Sequence, residues 1–130
     1  MEASLDRPAP GRGLNIAAWV AGALGFVLYT VVASPPKLMG NPQAVEGFLK
    51  MGFSDGFRLF IGACEFLGGI ALLIPRLAFW SAGGLIVIMI GAVHTHLTHP
   101  DAGPPTAAAV AIVVLAFIAW VRRKRALFLS

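Results

Sequence analysis

Four long apolar runs, divided by short polar stretches, set the pattern of the chain: about 14–34, 57–74, 77–97 and 105–121. As a helix, each would cover about 25–31 Å, which matches a hydrocarbon core of about 30 Å. Only Pro75-Arg76 separates the second run from the third. Those two must therefore be antiparallel neighbours. The predicted fold class is all-α: a polytopic membrane protein, an antiparallel bundle of four transmembrane helices. One polar stretch carries a pattern of its own. Asn41 followed by Pro42 is a helix start, an N-cap oxygen with proline at the first helical position. Val45, Phe48 and Leu49 fall on one face and Gly52 supplies a stop. This predicts a short interfacial helix over about 42–51 in the first outer loop. Residues 1–13, MEASLDRPAPGRG, read as a disordered cytoplasmic tail, 14–121 as the membrane domain and 122–130 as a basic cytoplasmic tail.

Composition agrees with the pattern and narrows the function. Hydrophobic residues make up 58% of the chain and charged residues 12%, with a mean hydropathy of +0.81. Soluble domains average about 25% charged, so the lipid bilayer is the first partner. Four of the ten basic residues form one run, Arg122-Arg123-Lys124-Arg125, directly after an apolar segment. Such a run is a topology signal or a lipid-headgroup contact, and nucleic acid is excluded as a partner. With both termini cytoplasmic, that side holds Arg7, Arg12, Arg76 and the run. The opposite side holds only Lys37, Lys50 and Arg58. The expected location is therefore the cell membrane, multi-pass, both ends inside. Trp19, Trp80 and Trp120 then fall at the inner interface, which indole rings favour. The first run is too long for a signal-peptide core, and Pro35 disfavours cleavage after VVAS, so it is read as a retained helix.

Chemistry concentrates at one residue. The stretch RLFIGACEFLGGIALLIP carries Glu65 near the middle of an otherwise apolar run. A charged group there costs about 2.5–3.5 kcal/mol on insertion scales and needs a partner, a proton or a function to offset it. Glu65 shares a helical stripe with Arg58, Gly62, Gly68 and Gly69, a seam of small residues suited to close helix packing. The expected neighbour of that seam is the glycine-rich face of the third helix. Arg58 lies about 10 Å from Glu65 along the axis, too far for a direct ion pair. His94, near the outer end of the third helix, completes an expected ladder of Arg58, His94 and Glu65, with Lys37 covering its mouth. Glu65 is the candidate catalytic residue, and Arg58, His94 and Lys37 are the candidate ligand-binding residues. No metal site is expected: His96 and His99 can share a face, but Pro100 breaks the helix and no third ligand is well placed. The single cysteine, Cys64, allows no intrachain disulfide.

Taken together, PPKLMG after the first helix, the IGACEFLGGIALL signature and a third helix ending GAVHTHL resemble the DoxX-like family over about residues 14–122. That family is named for a small membrane subunit of a thiosulfate:quinone oxidoreductase. The resemblance implies a subunit of a membrane-associated oxidoreductase, with Glu65 and Lys37 at matching positions and a quinone or other lipid-soluble molecule as the ligand. The chain has no thiosulfate-handling cysteine pair, haem-ligand pair or flavin motif, so no intrinsic cofactor is expected and an accessory role is favoured over a complete enzyme. Three functions stay open: a subunit binding a quinone-like or other amphipathic molecule, a structural or assembly partner without chemistry, and a small proton-coupled transporter. A second copy of the chain is a further candidate partner.

Overall fold

A computed structural model of the chain describes residues 11–127; most of the expected N-terminal tail lies outside them. Gly11 to Gly13, counted with that tail by sequence, instead open the first helix. Among the described residues there are helices and turns and no strand. The first helix, α1, runs Arg12–Leu38. Its middle, Val27–Ala33, winds as a π-helix, and the Ser34 N–H reaches back five residues to the Tyr29 carbonyl. Proline explains the position. Pro35 and Pro36 have no N–H for the carbonyls four residues back, and in a regular α-helix their rings would strike them. The wider turns run up to the prolines and relieve that conflict.

The short helix expected over 42–51 forms as α2, Pro42–Lys50, with the Asn41 side chain accepting from Gln43 N at 3.0 Å. Gly40 and Gly52 flank it with positive φ, a conformation that favours glycine. Val45 and Phe48 are half-buried against the bundle, while Leu49 faces outward. Next, α3 spans Asp55–Ala71 behind a Ser54 cap whose hydroxyl accepts from Phe57 N. α4 spans Pro75–Thr98 and α5 spans Thr106–Arg122. The hairpin between α3 and α4 is turned by Leu72 to Ile74, not by Pro75-Arg76. Pro75 instead opens α4, where its missing N–H is no loss.

Among the described residues, three helices are long and apolar enough to cross a membrane: α1, α4, and α5 continued to Arg125. α3, at 17 residues, covers about 25 Å and packs among them. Two pairs make up the bundle: α1 lies along α3, and α4 lies along α5. Lipid tails are as apolar as leucine, so helices in a membrane gain mainly from close approach. Glycines of α3 supply it. A Cβ on Gly62 would meet Lys37 Cβ at 3.0 Å, and one on Gly69 would lie 2.1 Å from Thr30 Oγ1. The α3 seam therefore faces chiefly α1; only Gly68 meets α4, at Leu85. This corrects the expected pairing of two glycine faces. On α4, Gly83, Gly84 and Gly91 have nothing within 4 Å of a Cβ, and the buried face is instead Ala78, Ala82 and Leu85.

The core gathers toward the α3–α4 turn: Ala21, Leu72, Ala78, Ala82, Leu85, Leu115 and Ile118. The basic run is folded onto this same end rather than trailing as a tail. Arg122, 2% exposed, donates to Asn15 Oδ1 at 2.8 Å and lies over the Trp19 ring. Leu127 N donates to the Arg76 carbonyl, and Trp80 Nε1 donates to the Leu127 carbonyl. We call this the turn end and the opposite one the cavity end.

Candidate functional site

At the cavity end the two helix pairs stand apart and enclose a cavity of about 570 Å³, lined by α1, α3, α4 and α5. Small-molecule sites span about 300–1,000 Å³. Most of its wall is apolar. Its charged groups are Lys37 and Glu65, whose contact is the centre of the site: Lys37 Nζ lies 3.1 Å from Glu65 Oε1 and 3.3 Å from Oε2. Nζ also donates to the Ala33 carbonyl at 3.1 Å. The Glu65 side chain is 4% exposed and that of Lys37 19%. The cation keeps an opening that its partner lacks.

Local sequence explains why the two meet. Gly62 stands one turn before Glu65 on α3, and its missing side chain lets the Lys37 Cβ settle against the α3 backbone. From there the four-carbon lysine stem reaches down to the carboxylate. In a regular α-helix, residues eight apart drift about 80° round the axis. The π turns reduce that drift, and Tyr29, Ala33 and Lys37 all line the one cavity. The Tyr29 hydroxyl is buried and has no hydrogen-bond partner, an arrangement that costs roughly 1–3 kcal/mol while it lasts. Over the site sits an aromatic roof. Phe53 stacks on Phe57 with ring centroids 4.6 Å apart, and Phe48 of α2 leans on both.

The ladder expected from sequence is not formed. Lys37, placed at its mouth, is instead the direct partner of Glu65. Arg58 is buried on the α3 stripe but does not line the cavity; its neighbour is Asp55, 3.5 Å away one turn earlier. His94 is exposed and lies off the cavity wall. His96 takes the place meant for it. The buried face of α4 continues as Ala82, Leu85, Met89, Ala92 and His96 at steps of three and four, which carries the imidazole onto the cavity. Its Nδ1 lies 3.2 Å from the Gly103 carbonyl. Sequence reasoning missed Tyr29 as well, the chain's one tyrosine. Its signal was an aromatic hydroxyl two turns before Lys37 in an otherwise apolar helix. Among the described residues no three metal-ligating side chains come together.

A model of the DoxX-like family matches residues 20–121, a span that contains every residue lining the cavity. The chain belongs to the DoxX-like family. No curated protein and no solved structure matches it. Family membership and three long apolar helices make this DoxX-like chain a membrane protein. The outward faces agree: Val20, Leu24, Val31, Leu67, Val110 and Val113 are all exposed, as a surface in contact with acyl chains requires.

Proposed function

We propose that this DoxX-like protein is a membrane subunit that binds a quinone-like amphipathic molecule for an associated oxidoreductase, with the Lys37–Glu65 pair holding the ligand's polar head. The observation that carries the reading is an ion pair set in the wall of an apolar cavity of ligand size. A buried pair is weak evidence for stability, because desolvation offsets most of its attraction. One that borders a cavity is available to a ligand. A quinone head suits the groups present: its carbonyl oxygens are acceptors, while the part-exposed Lys37 and the unpartnered Tyr29 hydroxyl are donors. Quinone, when bound, would supply the electron-carrying chemistry. Lys37 and Tyr29 would donate to its carbonyl oxygens, Glu65 would hold the lysine ammonium in place, and together they would orient the head and keep water from it. In this reading α3 is the fourth membrane span, α2 lies at the interface, and both termini are cytoplasmic, with the ten basic residues divided seven to three.

A second reading has its own support. Lys37–Glu65 also ties α1 to α3, and Thr30 Oγ1 donating to the Phe66 carbonyl at 2.8 Å ties the same helices. On that basis the pair is a staple and the protein an assembly partner without chemistry. Equilibrium binding of a decyl-tailed benzoquinone to purified protein separates the two. The ligand reading predicts saturable binding that Lys37→Met weakens by about tenfold or more, since the lysine is the charged donor and a hydrogen bond to a charged group is worth about 1.5–3 kcal/mol. No saturable binding by the wild type would leave the staple.

A further inference from the structure

We infer that the cavity opens sideways into the bilayer between α3 and α4, and that the apolar tail of its ligand lies in this window while the polar head meets Lys37 and Glu65. The inference rests on the ligand reading above and names the route and the tail site. Of the large side chains that line the cavity, the two also most exposed are Phe60 of α3 at 61% and Val87 of α4 at 69%, with Leu28 of α1 at 46% and Phe57 at 39% behind them. A side chain can be both only where the cavity wall is breached. The lips lie on adjoining helices. Gly68, two turns beyond Phe60 on α3, packs on Leu85, half a turn before Val87 on α4, so the two helices meet there and part above it. Gly91 continues the Val87 side one turn on, lines the cavity, and has nothing within 4 Å of a Cβ. Its missing side chain leaves open space.

Polar contacts point the same way. Among the described residues, the side-chain hydrogen bonds joining one helix pair to the other lie at the turn end: Ser81 Oγ to the Gly68 carbonyl and Arg122 to Asn15. Lys37–Glu65 and Thr30–Phe66 stay within the α1–α3 pair. Among the described residues no side-chain hydrogen bond joins α3 to α4 across the window. The surroundings of a transmembrane bundle at this height are acyl chains, so the occupant the window selects is a membrane-dissolved molecule with an acceptor-bearing head and an apolar tail.

Two benzoquinones sharing one head, one with a decyl tail and one with none, test this by equilibrium binding to the full chain in detergent. Gly91→Trp places an indole in the window without meeting backbone. Gly84→Trp, two turns lower and off the cavity wall, is the control. Expected is a loss of about tenfold or more for the tailed probe in Gly91→Trp, an unchanged tailless probe, and a wild-type response in Gly84→Trp. Val87→Trp, at an exposed lip where folding is not at stake, should repeat the selective loss. Undiminished binding of the tailed probe to both window variants would overturn the window while leaving the ligand reading intact, and so would equal loss of both probes. A wild type that binds neither probe would overturn the ligand reading and the window together.

Discussion

The two ends of the bundle use the same kinds of helix and reach opposite results. At the turn end, alanines on α4 admit Leu115 and Ile118, Arg122 is held by Asn15 and Trp19, and Leu127 closes against Arg76. Every polar group named there has a partner. At the cavity end the helix pairs separate, the Tyr29 hydroxyl and Ser34 Oγ are buried without partners, and the ion pair sits on a void. The difference teaches where the molecule is closely packed and where it leaves a cavity bordered by charge. A clamp at one end lets the other stay hollow without the helices drifting apart.

The contrast breaks most readily at the core. Ile118→Ala removes a buried side chain where neighbours cannot relax, and should cost about 2–5 kcal/mol in unfolding free energy. Met89→Ala borders the existing cavity and should cost less than half as much. Thermal unfolding in one detergent compares the two; equal losses would mean that the cavity end is as tightly packed as the core.

Glycine substitutions sharpen the comparison on a smaller scale. Gly69→Ala must push Thr30 Oγ1 away from its bond to the Phe66 carbonyl, and overpacking of this kind costs about 1–3 kcal/mol. Gly84→Ala meets nothing and should be neutral or slightly stabilising, because alanine favours the helix. Matching losses for the two would contradict the assignment of the α3 seam to α1. The smallest effect belongs to the clamp: Arg122→Lys keeps the charge but loses the planar contact on Trp19, and should cost on the order of 1 kcal/mol. A neutral result would show that Arg122 does not fasten the turn end.

How much of this was legible before the structure depends on the range of the interaction. Helix spans were readable to within a few residues because they rest on runs of apolar residues, and α2 was readable from Asn41-Pro42 and Gly52 alone. Glu65 stood out because a carboxylate in an apolar run is conspicuous on its own. Its partner did not, since Lys37 reaches it only through the interhelix approach that Gly62 allows and the π winding that precedes Pro35. Neither is written in the periodicity of one helix. The exchange of His94 for His96 has a simpler cause: the face of α4 was anchored on glycines, whereas its buried side carries Ala78, Ala82 and Leu85. Extending that series would have reached His96.

The central claim is that Lys37 and Glu65 serve a ligand rather than the fold, and removing both charges together tests it most directly. Taking away one partner strands a buried charge, at about 3–5 kcal/mol, and confuses the two roles. Replacing both, Lys37→Met with Glu65→Leu, leaves no charge stranded and substitutes apolar side chains of similar size, a change that is often neutral or stabilising. The measurement is the affinity of this double variant for the decyl-tailed benzoquinone, with its unfolding temperature recorded alongside. The account predicts a variant at least as stable as the wild type that has lost about tenfold or more in affinity. Wild-type affinity in a stable double variant would contradict it.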